Sequence, residues 1–86
     1  METVSVVPAG SGWAVRSPAI ANEMLFRSGA RAERAARRLA AALAARGDYV
    51  ELRIHLRTGE LAGRFLCPPP SPAAEPAPEA RPASAA

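Results

Sequence analysis

YVELRIHLRTGELAGRF, residues 49–65, carries the clearest secondary-structure pattern in the chain. Its first half alternates apolar and polar side chains, which is typical of a β-strand with one buried face. A second apolar pattern follows Thr58-Gly59, and this dipeptide suits a two-residue hairpin loop because glycine tolerates positive φ. The stretch therefore predicts two antiparallel strands joined by a tight turn. The inward side chains of the first strand are expected to be Val50, Leu52, Ile54 and Leu56.

A loop at Thr58-Gly59 also sets which residues of the two strands lie opposite each other. The predicted inward pairs are Leu56 with Leu61, Ile54 with Gly63, and Leu52 with Phe65. The predicted outward pairs are His55 with Ala62, and Arg53 with Arg64. Two arginines that face each other across strands lower stability. This cost is tolerable if Glu51, or an acidic group of a partner, lies between them.

An amphipathic helix precedes this hairpin, in residues 31–47. Ser28 is a suitable N-cap and Gly47 a suitable C-terminal stop, although Arg31 stands where a capping box has Glu or Gln. At about 100° per residue, an apolar stripe faces one way and the arginines the other. The stripe holds Ala32, Ala36, Leu39 and Leu43, flanked by Ala35 and Ala40; the far side holds Arg31, Arg34, Arg37 and Arg38. Since its side chains are mostly small, the stripe should let the helix lie close against a sheet.

Three short strands are predicted before the helix. They cover residues 3–7, with Val4 and Val6 inward, residues 13–16, with Trp13 and Val15 on one face, and residues 22–27. The glycines of residues 8–12 suit a turn between the first two strands. The chain is thus expected to be an α+β domain of order β-β-β-α-β-β, with one helix packed on a small, mainly antiparallel sheet.

The C-terminal segment has a different composition. Residues 67–86 hold seven of the nine prolines and, apart from Cys67, no large apolar side chain. We expect residues 1–66 to form the folded domain and residues 67–86 to form a disordered tail rich in proline and alanine. A domain of this size buries little core for itself, so it gains from self-association.

The basic residues are all arginines, and residues 1–66 hold ten of them against six acidic residues. A basic surface is compatible with nucleic acid, although arginine, alanine, proline and glycine are also favoured by GC-rich codons. The candidate anion or nucleic-acid contacts are Arg53, His55, Arg57 and Arg64 on the outer sheet face. The helix arginines fit a solvated face better than an anion site. Because the two sets are expected on opposite sides of the domain, nucleic-acid binding is the alternative function and not the preferred one.

The sequence indicates no enzyme. It contains no paired carboxylates, no glycine-rich phosphate loop and no metal-ligand spacing, so we expect no catalytic residues, cofactor or metal. His55 and Cys67 lack evident catalytic partners, and Trp13 fits a core position better than a stacking platform. No secretory leader is expected from the residues after Met1, and the apolar run of residues 39–45 is too short for a membrane span. A cytoplasmic location without membrane attachment follows.

Three pieces of the chain resemble one known family. They are Gly12-Trp13-Ala14-Val15, the alanine-rich helix, and residues 51–55 followed by Thr58-Gly59-Glu60-Leu61. Together they are similar to the small bacterial domain of unknown function 2188, over about residues 4–65. The resemblance implies this fold and no catalytic residues. The element order is also similar to that of small domains that pair as two copies into one continuous sheet, which implies a homodimer.

The preferred function is therefore a non-catalytic interaction domain that acts through protein contacts and associates with itself. Its terminal strand is the candidate joining edge, because unpaired N–H and C=O groups attract another copy. Leu61 and Phe65 are its expected apolar anchors, both facing inward. A third function, a small modulator that docks on a larger enzyme, fits the same residues.

Overall fold

A computed structural model describes residues 1–70 and confirms the α+β class. The elements are β1 (Glu2–Ala9), β2 (Gly12–Arg16), β3 (Met24–Phe26), α1 (Gly29–Ala45), β4 (Val50–His55) and β5 (Leu61–Cys67). This is the predicted β-β-β-α-β-β order. β5 runs one residue beyond the expected domain boundary at residue 66. Of the tail expected to be disordered, residues 67–86, Cys67 belongs to β5 and residues 71–86 lie outside the described residues.

The five strands form one sheet in the order β3-β2-β1-β4-β5. Three of the four pairings are antiparallel, and β1 with β4 is the parallel one. The predicted, mainly antiparallel sheet is confirmed. The N-terminal strand β1 lies at the centre of the sheet, between β2 and β4, and β3 and β5 form its edges. Because α1 packs on one face alone, the opposite face of the sheet carries no second layer within residues 1–70.

The core lies between the alanine stripe of α1 and the inward face of the sheet. Ala32, Ala36 and Ala40 are fully buried, and Leu43 is almost so. They pack against the buried sheet residues Val4, Val6, Val15, Val50 and Leu52. The small side chains let the helix approach the sheet closely, as predicted. Leu39 lies at the margin of this core and is only partly buried, together with Trp13.

Both ends of α1 are capped as the sequence predicts. Ser28 Oγ accepts a hydrogen bond from the Arg31 N–H at 3.0 Å. At the other end, Gly47 has a φ of 106°, which favours glycine. The Gly47 N–H donates to Ala44 O at 2.9 Å and the Asp48 N–H donates to Leu43 O at 3.3 Å. This pair of bonds is a Schellman motif, which ends the helix.

The loop between β4 and β5 is one residue longer than predicted. The Gly59 N–H donates to Leu56 O at 2.9 Å, and the Leu56 N–H donates to Glu60 O at 2.7 Å. The loop is therefore Arg57-Thr58-Gly59, with Gly59 at a φ of 96°. A three-residue loop of this kind is a type I turn followed by a left-handed residue. Leu56 lies beside the turn and is 48% exposed, so it adds little to the core.

A bulge in β5 compensates for the longer loop. Next to the turn, His55 pairs with Leu61, so the predicted pairs His55 with Ala62 and Leu56 with Leu61 are wrong. The register then shifts between Ile54 and His55, and from there the three remaining predicted pairs are confirmed: Ile54 with Gly63, Arg53 with Arg64, and Leu52 with Phe65. Ala62 is the extra residue of the bulge. As a consequence, Leu61 shares the outward face of His55.

Candidate interaction surfaces

The uncovered face of the sheet, here called the outer face, carries a row of polar residues across four strands. The register aligns Arg16 of β2 with Ser5 of β1, Ser5 with Arg53 of β4, and Arg53 with Arg64 of β5. Side chains at aligned positions point to the same face. Three arginines therefore lie in one line on the outer face.

Glu51 lies between Arg53 and Arg64 and offsets the repulsion between their positive charges. Its Oε1 is 3.0 Å from Arg53 Nη2 and its Oε2 is 2.8 Å from Arg64 Nε. The Glu51 side chain is only 9% exposed, whereas both arginines reach into solvent. Of the two acidic groups that the sequence left open for this position, Glu51 of the same chain occupies it. Arg16 at the other end of the row pairs with Glu23, at 2.6 Å between Arg16 Nε and Glu23 Oε1.

Arg57 lies apart from this row, at the end of the sheet where the two β-turns meet. Its Nη2 donates to Gly10 O at 2.8 Å and its Nη1 donates to Gly12 O. Its guanidinium carbon also lies 5.1 Å from the centroid of the Trp13 ring. These contacts join the β4–β5 turn to the β1–β2 turn. The structure thus assigns Arg57 a structural contact away from Arg53 and Arg64.

His55 is also engaged with the fold. Its Nδ1 lies 3.1 Å from the carbonyl oxygen of Val6. Because a carbonyl oxygen only accepts, Nδ1 carries the hydrogen and donates it. The bond holds the last residue of β4 to the neighbouring strand β1. Of the four candidate anion contacts, Arg53 and Arg64 lie together at Glu51, whereas His55 and Arg57 bond to backbone carbonyl oxygens.

Strand β5 is an edge strand with exposed apolar side chains on both faces. Phe65 is inward and 45% exposed, whereas Leu61 and Leu66 are outward and 46% and 63% exposed. The predicted inward position of Leu61 is wrong, because the loop and the bulge together turn it outward. Phe65 lies at the margin of the helix layer, where the Arg37 guanidinium carbon is 5.3 Å from its ring centroid. The sequence reasoning missed Leu66 because it ended the strand at Phe65.

The hydrogen bonding of β1 and β4 determines which backbone groups of β5 are free. The Glu2 N–H donates to Tyr49 O at 2.8 Å, so the backbone groups of Tyr49 face β1. Successive residues of a strand direct their N–H and C=O to opposite sides, so those of Leu52 face β5 and pair with Phe65. By the same alternation, the N–H and C=O groups of Arg64 and Leu66 point out of the sheet. Among residues 1–70, no strand pairs with this side of β5, which thus offers a backbone edge flanked by apolar side chains.

The helix arginines form a second surface, on the opposite side of the domain. Arg31, Arg34 and Arg38 are exposed and, at 100° per residue, point directly away from the buried stripe. We call these three residues the arginine stripe. Within residues 1–70, none of them forms an ion pair; Arg37, off to one side, pairs with Glu33 at 2.7 Å. Arg27 and Arg46 lie just beyond the two ends of the helix.

The described residues offer little that could hold a metal or span a membrane. Among residues 1–70, no three His, Cys, Asp or Glu side chains are grouped closely enough to bind a metal ion. The one helix described in that range is too short and too polar to cross a membrane.

The fold and the two surfaces of residues 1–70 define a class of protein: an α+β domain that has, in this range, one helix, a bare sheet face and one long free edge. Comparison with known proteins adds no closer relationship, since no family model, curated protein or solved structure matches the chain.

Proposed function

We propose that this chain is a non-catalytic interaction domain that acts as a homodimer joined along its β5 edges. The observation that carries the proposal is the exposure of Leu61, Phe65 and Leu66 on one seven-residue edge strand. A long edge with apolar side chains and unpaired backbone groups is a template for another strand. Pairing two copies satisfies the backbone groups and buries the same apolar side chains twice.

The other edge of the sheet is a poor site for pairing. β3 has only three residues, and the ion pair between Arg16 and Glu23 lies on that side. Short edges and charged side chains are features that discourage strand addition. The domain therefore has one edge suited to a partner strand, which favours a closed dimer over an open chain of copies.

The side chains favour one register for the dimer. With the two-fold axis at Phe65, the two Phe65 rings meet on the helix side, and Leu66 meets Arg64 of the second copy on the outer face. With the axis at Arg64, two arginines stand directly opposite each other, which is unfavourable. The first register also uses the free N–H and C=O groups of Arg64 and Leu66 as a hydrogen-bonded pair. It produces one continuous ten-stranded sheet, twice the five strands of one chain, with both helices on the same side.

Sedimentation of matched proline variants tests the proposal. The intact chain at micromolar concentration should sediment at twice the 9.0 kDa mass of one chain. Leu66→Pro removes an N–H from the free β5 edge and should yield a folded monomer. Leu25→Pro is the control: by the same alternation its N–H faces outward on the β3 edge, and it should leave the dimer intact. A wild type that stays monomeric at about a hundred micromolar, well above the concentration at which a specific dimer forms, overturns the proposal.

Disulfide trapping tests the register. In a Cys67→Ser background, Phe65→Cys places two thiols across the two-fold axis, where Cα atoms of a non-hydrogen-bonded pair are about 4.5 Å apart. This distance permits a disulfide, so the oxidised variant should run as a covalent dimer. Arg64→Cys in the same background faces Leu66 and should not cross-link. Cross-linking of Arg64→Cys alone contradicts the Phe65 register while leaving edge pairing in place.

A further inference from the structure

We infer that the arginine stripe of α1 is a binding surface for the phosphate backbone of double-stranded nucleic acid. Arg31, Arg34 and Arg38 point away from the sheet without an acidic partner among the described residues, and Arg27 and Arg46 lie exposed just beyond the two ends of the helix. The inference is independent of the dimer, because each copy carries the whole stripe. It places the nucleic-acid contact on the helix and not on the outer sheet face.

The other described arginines are engaged within the fold, in contrast to the arginine stripe. Arg16, Arg37, Arg53 and Arg64 pair with carboxylates, and Arg57 binds backbone carbonyls and lies over Trp13. The charges on the outer face are therefore largely compensated. The uncompensated positive charge is concentrated on one connected helix surface, which is the distribution that nucleic-acid binding requires.

Arg31 occupies a position where arginine does not serve the helix. It is the third residue after the N-cap Ser28, and Ser28 Oγ accepts its N–H. The side chain of Glu or Gln at this position accepts a hydrogen bond from the backbone N–H of the N-cap residue. A carboxylate there also interacts favourably with the positive end of the helix dipole. A positive charge in the first turn has the opposite effect. A residue that opposes its local structure is expected where it serves a contact.

The dimensions and side chains of the stripe match a duplex backbone. From Arg31 to Arg38 the helix rises about 10 Å, while the phosphates of one strand succeed each other every 3.4 Å along the duplex axis. Three arginines therefore reach about three phosphates. The exposed helix face offers alanines besides the arginines, so it lacks the aromatic rings that stack single-stranded bases. Binding without sequence preference follows, because phosphate contacts do not read bases.

The same side chains argue against a membrane surface. A helix that lies in a membrane interface inserts large apolar side chains such as Trp, Phe or Leu. The exposed positions between the arginines are alanines, Ala41, Ala42 and Ala45 among them, and Leu39 and Leu43 face the core. Without an apolar anchor, attraction to anionic lipid is electrostatic alone.

Fluorescence anisotropy with the full chain and a labelled duplex of about 20 base pairs tests the inference. Arg34→Gln/Arg38→Gln removes two charges from the stripe. Arg16→Gln/Arg53→Gln removes the same charge from the outer face and leaves Glu51 paired with Arg64. The stripe variant should bind roughly 30-fold more weakly at 0.15 M salt, and the slope of log affinity against log salt should fall by about 2. The outer-face variant should bind within about threefold of the wild type, because its charges are screened at a distance from the duplex.

Further arms separate the sources of binding. Duplex DNA and duplex RNA share the phosphate chemistry, so comparing the affinity of the chain for each shows which of them is the natural ligand. A single strand should bind more weakly than either duplex. Leu66→Pro should still bind the duplex with its own stripe, so failure of the dimer leaves this inference standing. Three results overturn it: no duplex binding at low salt, equal losses in both double variants, or tighter binding to phosphatidylserine vesicles than to duplex.

Discussion

Arg57 lies over the indole ring of Trp13, with 5.1 Å between its guanidinium carbon and the ring centroid, and also donates to the carbonyl oxygens of Gly10 and Gly12. One side chain thus joins the turn between β4 and β5 to the turn between β1 and β2. Gly12 and Gly10 lie 45 and 47 positions before Arg57 in the sequence. The contact closes one end of the sheet across its central strands.

Arg57→Ala should therefore destabilise the domain more than other surface arginine changes. Losing charge-assisted hydrogen bonds and a cation–π contact should lower the free energy of unfolding by about 1–2 kcal/mol. Arg34→Gln, a change at a fully solvated position, should alter it by less than about 0.5 kcal/mol. Urea denaturation followed by circular dichroism measures both. Equal values for the two variants would mean that Arg57 contributes no more than a solvated side chain.

The hairpin shows how far sequence reasoning reaches. Alternation predicted the partners of Leu52, Arg53 and Ile54, because burial on one face fixes the parity of a strand. It missed the loop length and the bulge, because Thr58-Gly59 fits either a two-residue or a three-residue turn and the two deviations cancel beyond Gly63. Leu61 was misplaced for this reason. Local sequence carried no signal for the bulge at Ala62.

The candidate surfaces were predictable only in part. Glu51 between Arg53 and Arg64 followed from cross-strand alignment, since like charges need a compensating group. The contact of Arg57 with Gly10 and Gly12 could not be predicted from the sequence, because it joins segments far apart in the chain. Pairing of β1 with β4 brings these turns to the same end of the sheet. A single sequence gives no indication of that juxtaposition.

Glu51→Gln tests the compensation on the outer face. Removing the carboxylate leaves Arg53 opposite Arg64, so the free energy of unfolding should fall by about 1–2 kcal/mol, from the lost charged hydrogen bonds and the cross-strand repulsion. The loss should shrink at high salt, because screening weakens the repulsion. Adding Arg64→Gln should restore part of the stability. A double-mutant cycle that gives additive effects would show that the residues do not interact.

The alanine stripe predicts an asymmetry between the two helix leucines. Leu43 is 3% exposed, whereas Leu39 is only partly buried. Leu43→Ala should lower the free energy of unfolding by about 2–5 kcal/mol, and Leu39→Ala by clearly less. Ala40→Leu should also destabilise, by about 1–3 kcal/mol, because a fully buried alanine leaves no room for extra methylenes. Thermal denaturation of the three variants checks the order. A larger loss at Leu39 would mean that the helix is rotated about its axis.

Arg31→Glu separates the needs of the helix from those of a ligand. The substitution places a carboxylate where it can accept the N–H of Ser28, which completes the capping box, and it puts a negative charge in the first turn of α1. Stability should rise by about 0.5–1 kcal/mol. Duplex affinity should fall at the same time, and by more than for Arg31→Gln, because the carboxylate repels phosphate. Arg31→Gln itself should keep most of the stability gain from the hydrogen bond. Denaturation and anisotropy on the same samples measure the two effects. If Arg31→Glu raises stability and leaves duplex affinity unchanged, Arg31 is only a solvated residue and the binding surface does not extend to the start of the helix.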